Sequence, residues 1–334
     1  MSSIFHALDL PSGEAFLLKT TRQSDRQFCV LVDSGTRKRR GKQHPLVQAI
    51  RRVEPELKRI DVAICTHQDN DHAGGFADFA DHWYSNGNAI GEFWLPGRWA
   101  AAFPDAIANP LGVMDRLYNG ASELLGTIED NKPRSNDTNV DVTNALTLEC
   151  NIRTHDNLRL VSSAFEECAI PANIPETEES ISSKWDRLAL SFGILSNQLD
   201  LLITQDEVNY GFDKVSSLYP GKHCSYCFLL SHLPARMKVD YLYLRAIDTL
   251  NSIRNIASAA LRFIIPIRWF DFGLFEQTTV PRGGIKQLLL PLNSVEIGGP
   301  PRVINDLALF LSLHLSIHNV ESLVFLREET LEEP

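Results

Sequence analysis

The sequence predicts a mixed α/β fold, and three observations predict it. Apolar runs of strand length recur through the first third of the chain. Helically spaced segments separate several of them, and the densest polar loops begin where apolar strands end. With 334 residues, 44% of them hydrophobic, the chain can bury a real core, which excludes a disordered chain or a disulfide-stapled miniprotein. Lys and Arg total 32 against 42 Asp and Glu, a net charge of −10. That excludes an all-over basic nucleic-acid coat but leaves room for a local basic patch.

The elements follow in order. Residues 4–10 read as a strand and 15–20 as its hairpin partner, with Pro11-Ser12-Gly13 between them. Residues 28–32 form a third, strongly apolar strand ending at Asp33-Ser34-Gly35, followed by a basic loop with Arg37, Lys38, Arg39, Arg40 and Lys42. Leu46, Ile50 and Val53 share a helical face. Residues 60–65 are another buried strand running into Thr66-His67-Gln68-Asp69-Asn70-Asp71-His72-Ala73-Gly74-Gly75. A helix over 76–83 and a strand over 90–95 follow.

Residues 100–183 turn helical and then polar, which reads as an insertion. Residues 188–195 and 199–204 read as a hairpin, 241–263 as a helix, 264–270 as a strand, and 307–315 and 322–326 as strands again. The expected organisation is therefore 1–99, a partly helical insertion over 100–260, and a further β segment over 261–334. No apolar run approaches the roughly 18 residues of a membrane span. The opening residues lack the pattern of a secretory leader. The six cysteines, Cys29, Cys65, Cys150, Cys168, Cys224 and Cys227, are scattered. They read as reduced thiols, so the expected compartment is the cytoplasm.

Between Thr66 and His72 the chain carries two imidazoles and two carboxylates directly after a buried strand. In an extended loop alternate residues point the same way, so His67, Asp69 and Asp71 can converge, with His72 arriving as the chain turns. Gly74 and Gly75 let the backbone turn away. Two crowded carboxylates call for a cation, and a metal is the simple resolution; a metal-free, hydrogen-bonded loop is the alternative.

This loop resembles the signature H-x-H-x-D-H of the metallo-β-lactamase superfamily, in a form with Asp at the third position similar to the metallo-β-lactamase-like domain of ComEC, the competence DNA-uptake proteins. Leu8-Asp9-Leu10-Pro11-Ser12-Gly13-Glu14-Ala15 resembles that family's first hairpin, Leu31-Val32-Asp33-Ser34-Gly35 its next strand, and Phe93-Trp94-Leu95-Pro96 a later one. The resemblance implies an αββα sandwich, with a second half that looks incomplete, and two divalent ions, zinc or manganese/magnesium. It implies His67 and Asp69 as ligands of the first ion and Asp71 and His72 of the second. Asp33 would brace the loop from behind, and Asp71 would also help hold and orient the attacking hydroxide.

For the family's bridging Asp, two placements stay open. In one, Leu201-Leu202-Ile203-Thr204-Gln205-Asp206-Glu207 resembles the family's strand and Asp206 bridges the ions. Where the last metal-binding His would then be sought, after residues 239–244, stand Arg245-Ala246-Ile247-Asp248. In the other, Asn319-Val320-Glu321-Ser322-Leu323-Val324-Phe325 resembles an N-x-x-S-L-V-L segment, and the rest of the fold would come from elsewhere, for example a partner chain.

The resemblance and the basic run at Arg37, Arg39 and Arg40 point to hydrolysis of phosphodiester bonds in a nucleic acid or nucleotide, with Asn319 a further candidate substrate contact. The alternatives are hydrolysis of a lactam, thioester or other carboxyl derivative, and an inactive or split binding protein. Cys224 and Cys227, with His223 and His232, form half of a zinc pattern with no second pair. Trp94, Trp99, Trp269, Phe270 and Phe272 suit core or rim packing better than base stacking.

Overall fold

The computed structural model describes residues 2–21, 27–36, 44–130, 184–193, 235–286, 288–301, 304–314 and 322–326. Arg37, Arg39, Arg40, Asp206 and Asn319, the Cys224–Cys227 pair and the 199–204 segment lie outside them. The chain is a mixed α/β protein with a large central sheet and covering helices.

Strands β1 (Ser2–Ala7), β2 (Phe16–Thr21) and β3 (Gln27–Val32) form an antiparallel meander. Helix α1 (Pro45–Val53) crosses from β3 to β4 (Arg59–Ile64), which pairs parallel with β3. Its proline sits at the first helical turn, where a missing N–H costs nothing. Its buried face is Leu46, Ala49 and Ile50, while Val53, in the last turn, stays exposed. The site loop opens into the short helix α2 (Asn70–Ala73) and then α3 (Phe76–Ser85), which buries Phe76, Phe79, Ala80 and Trp83. Strand β5 (Ala89–Pro96) pairs parallel with β4. A 3-10 turn (Gly97–Ala101) and helices α4 (Phe103–Ala108), α5 (Pro110–Asp130), α6 (Lys184–Ser191) and α7 (Ala235–Phe263) come before the chain returns to the sheet. There β6 (Ile267–Asp271) pairs parallel with β5. Helix α8 (Phe272–Thr278) leads to β7 (Leu290–Pro291) and β8 (Val295–Ile297), with β8 antiparallel to β6 at the sheet edge. Helix α9 (Asp306–His314) and β9 (Phe325–Leu326) complete the described elements. Among these residues the main sheet has the order β1-β2-β3-β4-β5-β6-β8, and β7 and β9 form a separate two-stranded ribbon.

Side chains alternate across the sheet, and both faces are dry where the strands run parallel. Leu31, Ala63, Phe93, Leu95 and Trp269 face the helices in one large core. Val30, Val62, Ile64, Trp94 and Phe270 face a smaller core closed by Leu288, Leu289 and Leu323. The long helix α7 packs on α3, α4, α5 and α9. Among the described residues no helix is long and apolar enough to cross a membrane.

Two strand expectations give way to helices. Of 188–195, residues 188–191 belong to α6, which ends at Ser191 ahead of Gly193 at φ 65°, and 194–195 lie outside the described residues. Residues 307–315 lie largely in α9, whose Ala308, Leu309, Phe310, Leu311 and Leu313 are all buried against α5 and α7. Both runs lack the polar interruptions that separate a strand from a fully buried helix. Trp94, Trp99, Trp269 and Phe270 are buried, as core residues should be.

Candidate metal centre

The parallel strands β3, β4, β5 and β6 end on the same edge, where open α/β sheets place their chemistry. Asp33 follows β3 and takes the left-handed backbone conformation at φ 59°. Aspartate tolerates that region better than most residues, at a cost of order 1 kcal/mol. The bend turns its carboxylate, only 3% exposed, back toward the end of β4. There it accepts from the Thr66 amide at 2.8 Å, from Thr66 Oγ1 at 2.8 Å and from His72 Nδ1 at 2.8 Å. Asp33 thus ties Thr66, at the start of the loop, to His72 at its end.

Those bonds set the tautomers of both imidazoles. The single hydroxyl proton of Thr66 goes to the Asp33 carboxylate, so Thr66 Oγ1 faces His67 Nδ1, 2.9 Å away, with a lone pair. Nδ1 of His67 must then carry the proton, with Ser322 Oγ a second neighbour at 3.2 Å. Nδ1 of His72 likewise donates to Asp33. Both Nδ1 atoms are thus engaged from behind, and each ring has its Nε2 on the side of a loop carboxylate.

The rings lie 4.0 Å apart between centroids. His67 Nε2 is 3.7 Å from Asp69 Oδ2, and His72 Nε2 is 3.9 Å from Asp71 Oδ2. His67 Nε2 is buried and has no hydrogen-bond partner among the described residues. The loop is not extended throughout, as alternation alone suggested. Asp71 and His72 ride on α2, whose first turn is closed by the His72 and Ala73 amides donating to the Asp69 carbonyl, each at 2.8 Å. Gly75 makes the fit possible. A Cβ there would run into the Ser34 carbonyl, while its amide donates to the Gly35 carbonyl at 3.0 Å.

The four donors suit a divalent cation in kind, as two pairs of imidazole nitrogen and carboxylate oxygen. Among the described residues they are not drawn together as a set of three or more around one point. One reason is visible. Arg245, on α7, donates to Asp69 Oδ1 at 2.7 Å and pulls that carboxylate to itself. Burial would raise the Asp69 carboxyl, but His67 and Arg245 outweigh it and hold the group below its ordinary value. Burial would lower His72, but its bond to Asp33 and the charges of Asp33, Asp71 and Glu14 hold it above its ordinary value.

Beside His67 opens a small recess, lined by His67, Gln68, Arg98, Trp99, Phe272 and Ser312 among others. Next to Arg98 lies Asp271, the last residue of β6, whose Oδ1 accepts from the Leu274 amide at 2.7 Å and caps α8. Burial holds the Asp271 carboxyl above its ordinary value, although Arg98 draws it down. Sequence reading missed Arg98, Asp271 and Arg245. An acid closing an apolar strand was a usable sign for Asp271; Arg245 carries no motif. Ser322 and Leu323, from the second open placement, do reach the site, and the Leu323 amide donates to the Thr66 carbonyl at 3.0 Å.

No curated protein and no solved structure matches the chain. The family model of the metallo-beta-lactamase superfamily matches residues 15–132, about a third of the chain, a stretch that holds β2 through β5 and all four donors of the loop.

Proposed function

We propose that the protein is a metal-dependent hydrolase that cleaves phosphodiester bonds in a nucleic acid or nucleotide. One observation carries the metal half of this reading: His67, engaged at Nδ1 by Thr66, keeps its Nε2 buried, without a hydrogen-bond partner and beside Asp69. A buried nitrogen with no partner is costly, and a cation between it and the carboxylate would relieve that cost. His67, Asp69, Asp71 and His72 would hold the ion, which when bound supplies Lewis acidity and acidifies a water.

The chain's own residues do the rest. Asp33 fixes the His72 ring and, through Thr66, the His67 ring, so neither must reorganise on binding. Asp71, the more exposed of the two loop carboxylates, stands at the mouth, where it accepts a proton from an attacking water and orients it. The phosphate half rests on charge. Arg98 lines the recess beside His67, and the basic run at Arg37, Arg39 and Arg40 follows the strand that delivers Asp33. The variant loop with Asp69 in a histidine's place, similar to the ComEC form, agrees with a phosphoryl substrate.

A second reading, a binding protein without turnover, draws on the Arg245–Asp69 bond. Assays with bis-p-nitrophenyl phosphate and with nitrocefin, each with added manganese or zinc, separate the readings. The proposal expects metal-dependent release of p-nitrophenol that is lost in His67→Ala. Turnover of nitrocefin alone would move the substrate to a carboxyl derivative, and turnover of neither would leave the binding role.

A further inference from the structure

We infer that Arg245 is a substrate contact that changes partners: its guanidinium pairs with Asp69 and passes to a phosphoryl oxygen of the substrate when a metal claims that carboxylate. The inference rests on the phosphodiesterase reading proposed above and adds a residue to its substrate side.

Asp69 stands between two claims. Its Oδ1 accepts from Arg245 at 2.7 Å, while its Oδ2 lies 3.7 Å from His67 Nε2. The Arg245 and Asp69 side chains are 34% and 27% exposed, so water screens the pair and the bond is a weak one. A divalent ion carries twice the charge of the guanidinium and has an imidazole at hand as well, so the carboxylate favours the ion.

The displaced guanidinium has little room to leave. Its helix is fixed, because its neighbours on α7, Leu242, Ala246, Thr249 and Leu250, are buried, and its own carbonyl accepts from Thr249 Oγ1 at 3.1 Å. The C-terminal end of α7 is pinned to α3 by Arg262 donating to Asp81 at 2.7 Å and by Tyr84 stacked on Phe263 at 4.3 Å. The side chain therefore swings about a fixed point beside the loop, and a rigid helix holds that point more precisely than a loop would. A phosphodiester carries one negative charge, as Asp69 does, so the exchange leaves Arg245 with a counter-charge. The planar guanidinium also matches two phosphoryl oxygens at once. Asp248, about one turn further on, is a poorer partner, since burial disfavours its charged form even with Arg245 nearby.

The test reads Arg245 itself. The purified full chain is stripped with chelator, with or without reloading by zinc chloride, and treated with phenylglyoxal, which modifies arginine. Mass spectrometry of the peptides gives the extent of modification at Arg245, and dimethyl phosphate serves as the substrate probe. Modification should be low in the stripped chain, rise with zinc, and fall again with zinc and dimethyl phosphate together. In parallel, calorimetry should show Arg245→Gln binding zinc roughly two- to fivefold more tightly than wild type, because the ion no longer displaces an exposed ion pair. If zinc binds but modification does not rise, or dimethyl phosphate does not lower it, the inference is overturned. Zinc affinity no higher in Arg245→Gln than in wild type overturns it too. In each of these cases, zinc-dependent turnover of bis-p-nitrophenyl phosphate would leave the proposed function standing. No zinc bound by the folded wild-type chain would overturn both.

Discussion

Two polar clusters occupy the central sheet, one at the β6–β8 edge and one at the mouth of β4, and they treat their charges differently. At the edge, Arg268 donates to both oxygens of Glu296 at 2.6 Å and to the Gly284 carbonyl at 2.8 Å, and it lies 4.9 Å above the Trp94 ring. Glu296 also accepts from the Gly284 amide at 2.9 Å, and Glu92, 3.5 Å from Arg268, accepts from Trp94 Nε1 at 2.6 Å. Acid and base there are paired with each other. At the mouth of β4, Asp33 is as fully used, but His67 Nε2 is left buried without a hydrogen-bond partner, and each imidazole has a carboxylate beside it. Burial alone does not mark a site. A site is marked by hydrogen-bonding capacity that the fold orients and then leaves unused.

The largest expected effect tests the satisfied cluster. Arg268→Met leaves Glu296, 6% exposed, with one amide donor, and should cost about 3 kcal/mol or more in denaturant unfolding. Metal content per folded molecule should not change. Adding Glu296→Leu should recover much of the loss, since a pair replaced together by apolar groups leaves no stranded charge. If Arg268→Met instead emptied the metal site with little loss of stability, the division between the two clusters would fail.

The second effect is smaller and falls on the other cluster. Asp33→Asn keeps the size of the side chain but removes the charge and one acceptor. The His72 and Thr66 protons then lose their fixed destination. Metal affinity should fall by about 10- to 100-fold, as for other residues that orient a ligand from behind. Competition with a chelating dye measures it. An unchanged affinity would mean that the imidazoles are held by packing alone.

One side of this contrast, the loop at the mouth of β4, was legible in the sequence, but unevenly. Local signals placed β1 to β5 and the loop at Thr66–His72, because strand, turn and motif fall within a few residues of one another. Asp33 came from the resemblance of Leu31-Val32-Asp33-Ser34-Gly35 to the family's strand, and β3 and β4 pair in parallel just before it. The α9 run misled because it is apolar on every side, and periodicity cannot tell such a helix from a buried strand. Arg245 reaches Asp69 across 176 residues of chain, and that pairing depends on how α7 packs. The position had been noted only for lacking a histidine; that an arginine there would meet the loop's first carboxylate is tertiary information.

The smallest expected effect concerns Cys29, on the same strand that delivers Asp33. Burial, with help from the charges of Asp61 and Glu54 against that of Lys19, pushes its thiol up to about 12 from an ordinary value near 9. Below about pH 8 the thiol is essentially neutral in both folded and unfolded chains and contributes almost no pH dependence. Above it the unfolded chain loses the proton while the folded chain keeps it. Stability therefore falls as pH rises, by at most about 1.4 kcal/mol per pH unit. Other groups titrate in that range too, so the informative quantity is the gap between wild type and Cys29→Ala. That gap should hold constant to about pH 8.5 and narrow by about 1 kcal/mol near pH 10. A constant gap would mean that the folded thiol ionises freely and that reactivity extends back along β3. A narrowing gap confines it to the strand's end, where the chain turns at Asp33.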